Sequence, residues 1–220
     1  MNPKSLVKVG LILFVVLIGA ALVFAQETKE AKVVQLPKPQ TDGGRPLMQV
    51  LKDRKSARSF SDKALPPQLL SNLLWAANGV NRPDGRRTAP SAVNWQEIDI
   101  YVVTADGVYL FDAKAHALNI VLAEDVRTMT GAQGFVKEAP VNLIYVADLA
   151  KMGKASEDDK AFYSATDTGF VSQNVYLFCA SEGLATVVRG LVSRAALAKK
   201  IGLRADQKIV LAQTVGYPKE

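Results

Sequence analysis

Arg54-Lys55-Ser56-Ala57-Arg58-Ser59-Phe60 sets cationic and hydroxyl side chains in close succession. The stretch follows Pro46 to Asp53, a run with helical spacing in which Leu47, Val50 and Leu51 share one side. Guanidinium groups grip phosphate oxygens in a two-pronged fork, and a serine adds a short neutral donor. Taken alone, the same residues also fit the basic end of a helix, where cations meet the helix dipole. A second polar cluster, Pro90-Ser91-Ala92-Val93-Asn94-Trp95-Gln96, lies one helix and one loop downstream. Its amide and hydroxyl groups match a heteroaromatic edge carrying both donors and acceptors, although a capped turn would use them too. The two clusters together point to a phosphorylated, ring-bearing ligand.

The pattern around them is mixed. Pro67 to Asn78 reads as a helix with Pro67 in its first turn, an apolar face from Leu69 to Ala77, and Gly79 as its stop. Asp99 to Thr104 and Val108 to Phe111 are β-rich, and Ala105-Asp106-Gly107 between them predicts a hairpin. Asn119 to Thr130 carries a weak helical pattern. Val141 to Ala147, almost wholly apolar, predicts a central strand. Asp159 to Glu182 is the longest helical stretch, with small residues that would let another helix approach. A strand over Ala185 to Val188, a short helix capped by Ser193 and ended by Gly202, and a strand over Lys208 to Val215 complete the chain. The fold class expected is α+β, a mixed or antiparallel central sheet flanked by helices.

Composition removes several classes. With 220 residues and 49% apolar content, the chain holds one good core. The net charge of +6 is scattered, with no basic stripe interleaved with aromatics, so no nucleic-acid partner is expected. One cysteine, Cys179, and one histidine, His116, rule out an intramolecular disulfide and argue against a structural zinc site. Cys179 reads as a buried inert thiol and His116 as a structural or surface group.

The first 25 residues read as an export segment. Lys4 and Lys8 precede an uncharged run from Val9 to Ala25, and Val23-Phe24-Ala25 forms an acceptable cleavage point before Gln26. The alternative is a retained membrane anchor over residues 5–25. Either way the body is expected outside the cytoplasm, periplasmic or otherwise extracytoplasmic. Residues 26–45, with Pro37, Pro39, Gly43 and Gly44, read as a flexible linker, and the folded domain as residues 46–220.

In their order along the chain, these residues resemble the nitroreductase superfamily of flavin enzymes, over about residues 46–218. The carriers are the Arg54–Phe60 stretch, Pro90 to Gln96, Glu138-Ala139-Pro140 before a strand, Gly183-Leu184, Arg189-Gly190, and the closing Val215-Gly216-Tyr217-Pro218. Arg87-Thr88-Ala89-Pro90-Ser91 and Gly107-Val108-Tyr109 look most like the branch that includes azoline-oxidising dehydrogenases.

The resemblance implies an FMN-binding homodimer with two cofactors at the subunit interface. It implies that Arg54, Lys55, Ser56 and Arg58 hold the phosphate and ribityl side. Ser91, Ala92, Asn94 and Gln96 would reach the FMN of the other subunit, and Gln133 the ring edge. The backbone at Arg189 and Gly190 would approach flavin N5, and the helix around Gly169 to Ala180 would belong to the dimer core. The implied activity is oxidoreduction by a ping-pong cycle, with NADH or NADPH the usual donor in relatives and with no catalytic acid or base demanded of the protein. A flavin-binding carrier or sensor and a structural envelope module remain open as alternatives.

Two departures stand out. Relatives often carry further basic residues after Gly-Tyr-Pro, whereas only Lys219 follows here, which shifts the expected phosphate contacts onto Arg54 and Arg58. The family also often carries Glu where Arg189 stands. A cation there would be expected to favour electron-rich reduced flavin.

Overall fold

A run as apolar as Val141 to Ala147 is stable only where both of its faces are covered, and it lies near the middle of a seven-stranded sheet. The computed structural model describes residues 33–219. The expected export segment (1–25), its cleavage point before Gln26 and the first part of the expected linker (26–32) lie outside the described residues. The elements are β1 (Val33–Gln35), α1 (Leu47–Asp53), α2 (Pro67–Asn78), β2 (Ile98–Val103), β3 (Val108–Asp112), β4 (Ala117–Leu122), α3 (Phe135–Glu138), β5 (Val141–Asp148), α4 (Glu157–Glu182), β6 (Ala185–Arg189), α5 (Arg194–Lys200) and β7 (Gln207–Gly216). The strand order is β1-β4-β3-β2-β5-β7-β6, and every neighbouring pair is antiparallel. The α+β expectation therefore holds in its antiparallel form.

Strand β5 is buried at every residue because its alternating side chains feed two cores. Leu143 and Tyr145 pack with Leu73, Leu74 and Ala77 of α2 and with Val171, Val175 and Cys179 of α4. Ile144 and Val146 pack on the opposite face with Leu197 of α5 and Ile201. Each such side chain contributes roughly 1.5–3 kcal/mol by leaving water. Cys179 is fully enclosed, and burial pushes its thiol well above the usual range.

Three expectations are corrected. From Val33 onward the presumed linker is folded. Val33, Val34 and Gln35 pair with Asn119, Leu118 and Ala117 of β4. The next residues are strapped to helices: Ser71 Oγ donates to the Pro37 carbonyl (2.5 Å), Gln68 Nε2 to the Lys38 carbonyl (2.9 Å), and the Gln40 N–H to Asn72 Oδ1 (2.9 Å). Arg45 pairs with Asp53 and donates to the Ala180 carbonyl. Prolines and glycines leave this segment few partners of its own, so its order comes from side chains far along the chain. Second, Asn119 to Thr130 is not a helix but the end of β4 followed by a 3-10 turn, Arg127–Thr130. Pairing on both sides, with β3 and β1, overrides a weak helical pattern. Third, Ser193 starts α5, yet its side chain makes no capping bond. The helix that is capped is α4, where Ser156 Oγ accepts the Asp159 N–H at 3.1 Å.

The hairpin between β2 and β3 closes at Gly107, whose carbonyl accepts the Thr104 N–H at 2.9 Å. Its φ is +151°, and a Cβ there would sit 2.3 Å from the Leu122 carbonyl oxygen. Backbone cannot move aside as a flexible side-chain tip can. Gly107→Ala should therefore cost about 2 kcal/mol or more. Thermal unfolding should show this as a Tm lowered by roughly 4–8 °C for a domain of this size.

Candidate functional site

The Arg54–Phe60 stretch leaves α1 extended, because Arg54 closes the helix with its N–H on the Val50 carbonyl and takes ψ of 121°. The Ala57 N–H then donates to the Thr186 carbonyl of β6 at 2.9 Å. The Ser56 hydroxyl hydrogen-bonds Tyr176 Oη of α4 at 2.8 Å, and that same Oη accepts the Val188 N–H at 2.9 Å. The Arg54 guanidinium lies 5.3 Å from the centre of the Tyr176 ring. Tyr176 thus ties the loop, the long helix and β6 together, and the sequence reading missed it, because an aromatic in a long helix looks like core. Arg54 is half-buried, and Lys55 and Arg58 are exposed. Among the described residues none of the three forms an ion pair. A fixed backbone thus carries unpaired cations, an arrangement suited to an anion.

The Glu138–Pro140 and Gly216–Pro218 motifs converge on the end of this loop. Phe60 is buried, pairs as a β-bridge with Pro218, and packs its ring 5.4 Å from Phe135. The Ser61 N–H donates to the Tyr217 carbonyl. Gly216 is needed here, since a Cβ would meet Pro140 Cδ at 2.7 Å. Glu138-Ala139-Pro140 and Gly216-Tyr217-Pro218 therefore act by close packing under Phe60.

Arg189 differs from its expected role. Its side chain is buried and runs into the sheet: Nη1 donates to the Thr130 carbonyl (2.6 Å), Nη2 to Asn142 Oδ1 (3.0 Å) and Nε to Thr214 Oγ1 (3.1 Å). Burial lowers its pKa to about 10. The expected cation beside the flavin ring is instead a fixed charge inside the core, held by neutral acceptors. Alternation along β6 carried the signal: Arg189 shares a face with Ala185 and Val187, both buried. Gly190 is exposed, and a Cβ added there would meet only Leu211 Cδ2, at 3.9 Å. Among the described residues nothing requires glycine at that position. Gln133 is half-buried, and its Oε1 is a buried acceptor without a donor. It lies beside Gly131, where an added Cβ would collide with both Arg189 Nη1 and Gln133 Oε1.

Ser91, Ala92, Asn94 and Gln96 sit elsewhere on the molecule. The Ala92 N–H donates to Asp167 Oδ2 of α4 at 2.9 Å, so it is not free for a ligand. Ser91 Oγ accepts the Gln96 N–H (3.0 Å), and Gln96 Nε2 donates to the Gly85 carbonyl and to Asn94 Oδ1 (both 3.1 Å). These bonds leave the Ser91 hydroxyl proton, the Asn94 amide N–H groups and Gln96 Oε1 without partners among the described residues. Asp167 and Tyr176 are nine residues apart on α4, roughly 13 Å along its axis at about 1.5 Å per residue. One chain therefore does not bring the second cluster onto the first.

Comparisons with known proteins agree with this fold. The nitroreductase family model matches residues 51–217. A candidate nitroreductase from Methanocaldococcus jannaschii is 34% identical over 154 residues, covering 66% of this chain and 78% of the relative. The crystal structure of a candidate nitroreductase from Ralstonia eutropha superposes with a TM-score of 0.82 and 43% identity, over 89% of this chain and 93% of that one. The NADPH:FMN oxidoreductase of Vibrio harveyi, solved with NAD+, shares the fold at a TM-score of 0.61 and 19% identity, over 79% of this chain and 69% of its own. With its motifs gathered as described and its matched region running from the end of α1 to Tyr217, the chain belongs to the nitroreductase family.

Proposed function

We propose that this chain is an exported, FMN-dependent oxidoreductase working as a homodimer, and the observation that carries the reading is the set of unpaired cations on the loop fastened to β6. Arg54, Lys55 and Arg58 supply the charge for a phosphate, with Ser56 beside them for the ribityl chain. The residues fit a flavin at two further points. Gln133 Oε1 is an orphaned acceptor that a ring N–H would satisfy. The open backbone at Gly190 gives a planar ring room to approach.

Two copies would complete the site. Leu47, Met48 and Leu51 on α1 and Phe162 and Phe170 on α4 are large apolar side chains left exposed. Such a surface fits a second subunit. Across that contact, the Ser91–Gln96 loop of each copy would serve the cofactor held by the other.

FMN, when bound, would supply the redox chemistry, hydride transfer through N5 in a ping-pong cycle between a donor and an acceptor. The chain's own residues bind and orient. Arg54 and Arg58 anchor the phosphate end, Gln133 fixes the ring edge, and the Arg189–Gly190 backbone sets how close a substrate comes. Orientation of this kind is the protein's main lever on the rate. With the body outside the cytoplasm, where nicotinamide cofactors are scarce, the donor would be an envelope reductant.

The test is the absorbance spectrum of the purified protein, followed by anaerobic mixing with NADH, NADPH and artificial donors. A yellow protein that releases FMN on heating and bleaches with a donor supports the reading. A yellow protein that no donor reduces would favour a flavin carrier. A colourless protein that gains no thermal stability from added FMN overturns it.

A further inference from the structure

Glu97 follows directly on the Ser91–Gln96 loop, and its side chain is fully buried. Neither carboxyl oxygen receives an N–H or O–H donor among the described residues. Within hydrogen-bonding reach lies the carboxyl group of Asp167, itself 2% exposed. Asp167 Oδ2 already accepts the Ala92 N–H at 2.9 Å, at the opposite end of the loop. The Glu97 carbonyl accepts the Asp148 N–H, which seats that residue on the end of β5.

The loop itself is strained. Val93, Asn94 and Gln96 have φ of 52°, 59° and 51°. Left-handed backbone is unusual outside glycine, and for a β-branched residue such as Val93 it is a genuine outlier. Such strain persists only where the surroundings impose it.

We infer that Glu97 and Asp167 share one proton, and that this carboxyl–carboxylate bond clasps the two ends of the Ser91–Gln96 loop against α4, making Glu97 the positioning residue for that loop. The inference concerns the chain alone and does not depend on which ligand the loop meets. Two ionised carboxylates cannot face each other in the interior without a cation between them. Among the described residues no cation forms an ion pair with either carboxyl group. Lys151, from the turn after β5, holds Asp99 Oδ1 at 2.6 Å and reaches the Gln96 carbonyl at 3.4 Å. The Arg87 guanidinium faces Asp99, Asp112 and Glu97, yet makes no ion pair and leaves its Nε without a partner. With Asp167 accepting the Ala92 N–H, Glu97 is the member that carries the proton and donates it.

Burial pushes Glu97 up, and the Asp167 charge and hydrogen bond push it further, while its own backbone and Lys151 pull it down, for a value of about 7 against an ordinary 4.5. The folded protein thus keeps this proton to a higher pH than the unfolded chain. Stability from the protonated pair is complete on the acid side of 4.5 and is lost as the pH rises through about 7.

Trp95 reports on the loop, since its ring packs edge-on against Tyr163 at 5.7 Å. The experiment titrates the tryptophan emission of the full chain with pH, with Trp95→Phe identifying the Trp95 component. In parallel, infrared spectra follow the carbonyl band of protonated carboxylic acid. The parent should show one transition near neutral pH in both signals. Glu97→Gln, whose amide donates as the acid does, should hold the loop at every pH and lack both transitions. Asp167→Asn should move the midpoint down by at least one unit, because the facing charge is gone. A transition retained in Glu97→Gln, or an unmoved midpoint in Asp167→Asn, overturns the inference. Should Glu97→Gln fail to fold, the Asp167→Asn midpoint decides alone.

Discussion

Replacing Arg54 and Arg58 together by alanine should weaken FMN binding by about two to four orders of magnitude while leaving the fold intact. Each guanidinium removed takes away hydrogen bonds to a charged phosphate, worth roughly 1.5–3 kcal/mol apiece, and every 1.4 kcal/mol is about tenfold in Kd. Among the described residues neither side chain forms an ion pair, and Arg58 is exposed. Among the described residues the substitution forfeits the stacking of Arg54 on Tyr176, worth about 0.5–1 kcal/mol. Fluorescence titration of the apoprotein with FMN measures the loss, and a thermal melt without FMN checks the fold. The double lysine variant should recover part of the affinity, because charge remains but the fork does not. Full chromophore occupancy in the double alanine variant would remove the central support for a phosphate clamp in this loop.

Arg189→Leu should have the largest effect on stability, about 3–5 kcal/mol, seen as a Tm lowered by roughly 8–16 °C for a domain of this size. The guanidinium satisfies the Thr130 carbonyl, Asn142 Oδ1 and Thr214 Oγ1, all three residues fully buried. Leucine fills part of the volume but donates nothing. Thr214 Oγ1 still donates to Asn142 Oδ1 at 2.7 Å, whereas the Thr130 carbonyl loses the Arg189 donor. Arg189→Glu should be worse still, since a carboxylate would face the same acceptors. That result would separate Arg189 from a role in tuning a flavin: the variant would lose its fold before any shift in potential could be read. Chemical denaturation of apoprotein and variant under the same conditions measures the difference directly.

Parts of the site were legible because their chemistry is local. Arg54, Lys55, Ser56 and Arg58 lie within five residues, and their meaning as an anion grip survives without knowing the fold. Asn142 is a single amide inside an apolar run, and its partner Arg189 lies 47 residues away. The strap from Val33 to Arg45 was misread for the same reason, as its partners are at Gln68 to Asn72 and at Ala180 and Ser181. Glu97 gave no signal at all. Gln96-Glu97-Ile98-Asp99 reads as the polar start of a strand, and nothing local says that a second carboxylate, 70 residues on, closes over it.

Order and periodicity along the chain were enough to decide the class of fold, the central place of β5, the long helix and the cation-bearing loop. Each follows from how residues a few positions apart share a face or a turn. Tertiary structure alone decided which way Arg189 points, that Ala92 is already bonded, and that the Ser91–Gln96 loop sits on α4 away from Arg54. Direction, burial and pairing depend on groups that the backbone brings together across the sheet, and an isolated segment cannot encode what will be packed against it.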